Sequence, residues 1–205
     1  MLEPRGHADM YGCLVLPPAE PDAHVGVLFL HNEGFSTMCG HGIIAVATVA
    51  VAAGLVPATP PVTELRLDTP AGRVTAFVHG EAGRVDEVRF RNVPSFVLAR
   101  DETVTVPGLG EVRYDLAFGG AFYAYVDASA VDVECSTSGV RHAIDTARGV
   151  KGAVAGSVEI AHPWQADLGL GPGTDLLQQG LRFLLTQAAA QALSRLIAWE
   201  GPRDL

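Results

Sequence analysis

The sequence predicts a mixed α/β (α+β) protein, because short apolar segments divided by Gly and Pro make up most of the chain and apolar runs of helical length interrupt them. A chain of 205 residues with 48% hydrophobic residues is long enough to bury one large or two small cores. The formal net charge of −9 comes with no cluster of Lys and Arg, which argues against nucleic acid or an anionic membrane as a partner. We therefore expect a small-molecule site.

The first half of the chain predicts strands around one central helix. The apolar runs "YGCLVL" at 11–16 and "HVGVLFL" at 24–30 lie on either side of "PPAEPDA", which predicts two strands joined by a loop. The run "IIAVATVAVAA" at 43–53 is too long for a typical strand and predicts a helix that is buried on all sides and ends at Gly54. From 64 to 128, short alternating segments separated by Gly and Pro predict a meandering antiparallel sheet.

The second half predicts two helices and one more strand. The segment from "ASAVDV" to "VRHAIDTARGVKGAVAG", residues 128–156, predicts a polar-faced helix, and "SVEIAHPW" at 157–164 predicts a strand. From residue 171 a pattern rich in Leu, Ala and Gln predicts one long helix. No apolar stretch reaches the roughly 18–20 residues of a membrane span and the first residues lack a signal-peptide pattern, so we expect a cytoplasmic protein.

Cys39 lies in "HNEGFSTMCGHG" at 31–42, directly before the first predicted helix. The unpaired backbone N–H groups and positive end of a helix favour an anion, and such a position can lower the pKa of a thiol. The same N–H groups can receive a substrate carboxylate, and Gly40 and Gly42 let the backbone come close to it. This arrangement suits proton transfer at the α-carbon of an amino acid, with His41 tuning the thiol or binding the substrate.

Other interpretations of these residues stay open. Cys39 could be a buried structural cysteine, although the polar lead-in at 31–38 is more typical of a surface loop. A Cys-His hydrolase would need a second motif, which the sequence lacks. A metal site formed by His31, Cys39 and His41 would need distant paired ligands, and none is evident.

Cys13 is expected to be a core residue because it lies inside the apolar run "YGCLVL". Cys135 is expected to be at least partly exposed and receives no role. The segment "GGAFYAYV" at 119–126 predicts a sheet segment with aromatic packing. Three polar residues are expected to shape the loop before Cys39: His31, Asn32 and Glu33. His7 and Asp9 are expected either to lie near the substrate or to form a hydrogen-bonded pair that shapes a loop, and Arg5 receives no role.

Three blocks in this order, "EPRGHADMYG" (3–12), "VGVLFLHNEGFSTMCGHGIIAV" (25–46) and "GGAFYAYV", resemble the proline racemase superfamily, specifically its trans-3-hydroxy-L-proline dehydratase branch. The resemblance implies a diaminopimelate epimerase-like fold of two β-barrel-like halves, each around a central helix. It implies that Cys39 is the catalytic acid/base and that Gly40 and His41 hold the substrate carboxylate.

The resemblance also implies a reaction without metal or cofactor. The thiol removes the α-proton, the β-hydroxyl leaves, and the enamine tautomerises to Δ1-pyrroline-2-carboxylate. The alternative within the family is a hydroxyproline 2-epimerase or proline racemase, which places a second cysteine where the dehydratase branch has a threonine. The expected partner is an imino-acid substrate, and a homodimer is compatible with the sequence.

The chain also departs from the family pattern. It lacks the "TGGEP"-type motif that precedes these blocks in the family and the later "DRSP" followed by Thr-Gly or Cys-Gly. We expect three segments: a partial first half carrying Cys39 at 1–93, the start of a second half at 94–170, and a helical tail outside the family at 171–205. A truncated or frame-shifted member, acting at most as a binding or dimerisation remnant, is the competing hypothesis.

Overall fold

A computed structural model describes residues 10–31, 34–81, 84–134 and 136–165, and the backbone of 182–186. The chain forms two compact units, one with its described residues up to Pro94 and one that begins at Ser95. Within the described residues, each unit contains one sheet and one α-helix. The boundaries predicted for the family halves stay a prediction.

The first unit is a six-stranded mixed sheet with one helix. Its elements are β1 (Tyr11–Leu16), β2 (Val25–His31), β3 (Gly34–Ser36), α1 (Gly40–Ala52), β4 (Val62–Thr69), β5 (Gly72–Glu81) and β6 (Arg84–Arg91). The sheet has the order β1-β2-β4-β5-β6, with β3 paired to β2. The β2–β4 pair is parallel and the other pairs are antiparallel. The two strands predicted before Cys39 are confirmed.

The core of the first unit lies between the sheet and α1. Every second residue of β4 and β5 is buried, as expected for strands with one covered face: Thr63, Leu65, Leu67, Val74, Ala76 and Val78. The helix packs on β5 and β6. The predicted helix is confirmed, and it begins three residues earlier than the apolar run at 43–53.

The prediction that α1 is buried on all sides is wrong. Ile43, Val46, Ala47 and Ala50 form the buried stripe at helical spacing, whereas Val49 on the other side is 57% exposed. The sequence could not separate the two faces because both are apolar. Burial depends on which face meets the sheet.

A charged cluster ties the loop between β1 and β2 to the sheet. Asp68 accepts hydrogen bonds from the backbone N–H groups of Ala19 and Glu20 at 3.0 and 2.9 Å and from Arg73 at 2.7 Å. Arg73 also binds both carboxylate oxygens of Asp22, each at 3.0 Å. Burial alone would raise the pKa of Asp68, but the hydrogen bonds from Glu20, Arg73 and Ala19 and the charge of Arg73 lower that pKa below its usual value.

The second unit has a four-stranded sheet in the order β10-β9-β8-β7. Its elements are β7 (Phe96–Val106), β8 (Gly110–Phe118), β9 (Phe122–Asp127), a 3-10 turn (Ala128–Val131), α2 (Val140–Ser157) and β10 (Arg182–Thr186). The β7–β8 and β8–β9 pairs are antiparallel, which confirms the predicted meander, and β10 joins β9 in parallel. The helix predicted over 128–156 is confirmed from residue 140, with Thr146, Val150 and Val154 on its buried face, whereas 128–131 form the 3-10 turn.

Two predictions for the last part of the chain are wrong. The strand expected at 157–164 is absent: α2 continues through Ser157 and only Ile160 forms a bridge. Pro163 lacks an N–H donor, which disfavours a longer ladder there. Residues 182–186 lie inside the long helix expected from residue 171, but they form strand β10 instead. The free edge of β9 supplies backbone hydrogen-bond partners, and this pairing overrides the local helical pattern. The rest of 171–205 lies outside the described residues.

In the part of the chain that the structure describes, no helix is long and apolar enough to cross a membrane.

Candidate active site

Cys39 is the N-cap residue of α1. Its backbone is extended, with φ −147° and ψ 114°, and its carbonyl accepts the first helical hydrogen bond from the Ile43 N–H at 2.9 Å. Its Sγ accepts a hydrogen bond from the Gly42 N–H at 3.4 Å. The thiol therefore takes the place that a Ser or Asp side chain has at many helix starts, beside the positive end of the helix.

The short loop before Cys39 is fixed by local hydrogen bonds. The hydroxyl of buried Ser36 donates to the Met38 carbonyl at 3.0 Å, and the Ala71 N–H donates to the Thr37 carbonyl at 3.2 Å. The side chain of Met38 is itself buried. These contacts hold the backbone at Cys39 against the sheet.

Aromatic rings of the sheet leave no room for a side chain at Gly42 and little room for one at Gly40. A Cβ atom at Gly42 would lie 2.5 Å from Cε1 of Phe29, and one at Gly40 would lie 3.0 Å from Cζ of Phe90. Phe29 is fully buried. The sequence pattern predicted that these glycines let a ligand approach the backbone, and it gave no sign of either ring. The alternation in β2 could have identified Phe29 as inward-facing, but no local signal points to Phe90.

The first turn of α1 leaves donors available. Within the described residues, no group accepts a hydrogen bond from the backbone N–H of Gly40 or of His41, and the first turn contains no acidic side chain. Cys39 and Gly40 are half-buried, and His41 is exposed. A thiol and two N–H donors thus lie together at one helix start, an arrangement that can bind an anion next to a sulfur base. The roles predicted for Cys39, Gly40 and His41 stay predictions.

The prediction that Cys13 is a core residue is wrong. It is exposed on β1, whose one neighbour in the sheet that the structure describes is β2. An edge strand covers its side chains less well than a central strand, even when its sequence is apolar. Partial burial, and then the charge of Cys39, raise the pKa of the Cys13 thiol.

The other predicted residues are only partly described. His31 is half-buried at the end of β2, and its ring stacks on Tyr11 with the centroids 5.8 Å apart. Arg5, His7, Asp9, Asn32, Glu33 and Cys135 lie outside the described residues. Across the described part of the chain, no group of three or more His, Cys, Asp and Glu residues is arranged to hold a metal ion.

The proline racemase family model matches residues 1–178. The chain belongs to the proline racemase family. The match covers Cys39 and the sheet around it, and it includes residues 171–178, which sequence analysis placed in a tail outside the family. The family predicted from the three sequence blocks is confirmed.

Curated proteins that are similar to this chain carry the names of two activities. The chain is 49% identical over 173 residues to "Trans-L-3-hydroxyproline dehydratase" of Mus musculus, covering 82% of this chain and 49% of that protein. It is 46% identical over 163 residues to "3-hydroxyproline 2-epimerase" of Burkholderia multivorans, covering 80% of this chain and 49% of that protein. The chain spans about half the length of the curated relatives it matches.

A solved structure supports the fold. A hydroxyproline epimerase from Agrobacterium vitis, with bound trans-4-OH-L-proline, is 30% identical and matches with a TM-score of 0.77 over 82% of this chain and 49% of that one. The predicted proline racemase-like fold is therefore confirmed for the matched part.

Proposed function

We propose that this chain acts in the cofactor-independent dehydration of trans-3-hydroxy-L-proline to Δ1-pyrroline-2-carboxylate, with Cys39 as the proton acceptor at the α-carbon. The observation that carries the proposal is the Cys39 Sγ at the N-cap of α1, beside first-turn N–H groups without a described partner. The reaction class is hydro-lyase.

The geometry suits the first chemical step. The N–H groups of Gly40 and His41 would receive the substrate carboxylate and, with the helix dipole, would stabilise the negative charge that develops as the α-proton leaves. Cys39 lies at the same helix start, so a carboxylate bound there presents its α-carbon towards the thiol. The α-proton and the β-hydroxyl are lost overall as one water molecule, and the resulting enamine tautomerises to the cyclic imine.

The choice of substrate rests on the relatives. The Mus musculus protein, at 49% identity, is named as a trans-L-3-hydroxyproline dehydratase, and the family model matches residues 1–178, which include the whole Cys39 segment. Residues 34–42, which belong to the described part of the family pattern "HNEGFSTMCGHG" that led to this substrate, form the loop and the first turn of α1 on either side of the Cys39 thiol.

Proton NMR in D2O tests the proposal directly. Reduced, purified chain is incubated with trans-3-hydroxy-L-proline, and the loss of substrate signals and the appearance of the imine are followed. Cys39→Ser should abolish conversion, whereas Cys13→Ser, which removes a thiol from the neighbouring strand, should retain it. Loss of conversion in both variants, or in neither, would contradict the assigned role of Cys39.

A 2-epimerase is the second candidate because the Burkholderia multivorans relative carries that name at 46% identity. The same samples distinguish the two reactions. Epimerisation exchanges the α-proton for deuterium and produces the other C2 epimer without loss of the hydroxyl group. L-Proline and trans-4-hydroxy-L-proline in parallel samples show whether the hydroxyl position matters.

A binding or dimerisation role is favoured by apolar side chains on the surface of the first unit. Leu14, Val15 and Leu16 of β1 are 49%, 47% and 41% exposed. Apolar side chains grouped on an edge strand are typical of interaction sites. Light scattering over a concentration series would detect a homodimer, and a mass that stays at one chain would exclude it.

A further inference from the structure

Two cysteines from different elements lie on the same face of the first unit's sheet. Cys13 in β1 is the antiparallel partner of Phe29 in β2, and directly opposite residues of an antiparallel pair project to the same side. The Phe29 ring is buried and packs against Gly42 in the first turn of α1. The side chain of Cys13 therefore projects to the side of the sheet on which α1 begins.

Cys39 lies at the start of α1, on the side of the sheet to which Cys13 projects. Its Sγ accepts a hydrogen bond from the Gly42 N–H, and its Cβ lies 3.4 Å from the position of a Cβ at Gly42. Cα atoms of β1 and α1 also approach within 8 Å of one another. The effect of the Cys39 charge on the pKa of Cys13 agrees with this proximity.

Both thiols can meet a reagent from solution. Cys13 is exposed and Cys39 is half-buried. Because β1 is an edge strand of the described sheet, it can move towards α1 without breaking a pair on its outer side. A disulfide needs Cα atoms about 4.4–6.8 Å apart, so a small approach between two neighbouring elements decides whether the bond can form.

We propose that Cys13 is a resolving thiol for Cys39, so that a disulfide oxidant such as oxidised glutathione converts the two residues into an intramolecular disulfide. The Cys39 thiolate attacks one sulfur of glutathione disulfide, forms a mixed disulfide and releases one glutathione. The Cys13 thiolate then attacks the Cys39 sulfur and releases the second glutathione. Two thiols are oxidised and one glutathione disulfide is reduced, with the two thiol protons ending on the released glutathione.

The consequence is reversible masking of the Cys39 thiol. A sulfur held in a disulfide has no thiolate to accept a proton, and the covalent link also occupies the start of α1. A dithiol reductant restores both thiols. This inference concerns thiol chemistry alone and does not depend on the proposed dehydration.

Mass spectrometry of the whole chain tests the inference. Reduced protein at low concentration is treated with oxidised glutathione, blocked with N-ethylmaleimide and digested after Glu33, because cleavage there separates the two cysteines. Wild-type chain should give a Cys13–Cys39 linked peptide and retain no glutathione. Cys13→Ser should retain one glutathione on Cys39, and Cys135→Ser should behave as wild type.

A matched variant tests the strand geometry. Leu14 points to the opposite face of β1 and is 49% exposed, so the double variant Cys13→Ser/Leu14→Cys carries an accessible thiol on the wrong side. It should form at least tenfold less Cys39-linked peptide than wild type. Equal linkage in this variant, a persistent glutathione adduct on wild-type Cys39, or cross-links between chains instead of within one chain would overturn the inference.

Discussion

Replacing Gly42 by Ala introduces one methyl group against the fully buried ring of Phe29. The new Cβ would lie 2.5 Å from Cε1 and 2.8 Å from Cδ1, whereas ordinary contacts begin at 3.4 Å, so ring and helix must separate by about 0.9 Å. Overpacking of this kind costs about 1–3 kcal/mol. Alanine gains up to about 1 kcal/mol in helix propensity over glycine, which leaves a net loss of about 1 kcal/mol in the free energy of unfolding.

Urea unfolding followed by far-UV circular dichroism measures this loss. Gly152→Ala in α2 is the control, since a Cβ there meets nothing within 4 Å and should stabilise the chain by up to about 1 kcal/mol. The two variants should therefore differ by about 1–3 kcal/mol, which is the overpacking cost alone. Phe29→Leu should reduce the penalty in a double variant with Gly42→Ala, because a smaller side chain leaves room for the methyl group. A Gly42→Ala variant as stable as Gly152→Ala would refute the packing described at Cys39.

Two further predictions concern the first unit. Asp68→Asn should lower the free energy of unfolding by about 2 kcal/mol at neutral pH, because the charged acceptor of two backbone N–H groups and Arg73 is lost. The folded-state pKa of Asp68 is lowered, so the stabilisation by this carboxylate is present above the unfolded-state pKa and is lost as pH falls. The free energy of unfolding should therefore change less between about pH 5 and 3 in the variant than in the wild type. An equal change in both proteins would contradict this role of Asp68. Ile43→Ala, at a fully buried position, should lower the free energy of unfolding in urea by about 2–5 kcal/mol. Val49→Ala, on the exposed face of α1, should change it by less than about 0.5 kcal/mol. Similar losses in the two variants would contradict the burial of only one face of the helix.

Local sequence patterns were sufficient to predict that Cys39 lies directly before a helix. A polar loop, glycines and an apolar run follow one another in sequence, and a helix start depends mainly on such neighbouring residues. For the same reason the strands before the helix and the antiparallel segments up to residue 127 were predictable.

Features that depend on distant residues were not predictable. The sequence "IIAVATVAVAA" is apolar on every side, so only the sheet decides that Ile43 is buried and Val49 exposed. The strand at 182–186 forms by pairing with β9, about sixty residues earlier in the chain, against a helical local pattern. Similarly, Cys13 has an apolar setting in sequence and becomes exposed because β1 lies at the sheet edge.

In the proposed reaction, Cys39 accepts the α-proton of a hydroxylated proline. Proton NMR in D2O of the reduced chain with trans-3-hydroxy-L-proline, beside the Cys39→Ser variant, tests it most directly. The wild-type chain should convert the substrate to Δ1-pyrroline-2-carboxylate, and the serine variant should leave it unchanged. Absence of dehydration, epimerisation and α-proton exchange in the wild-type chain would contradict it.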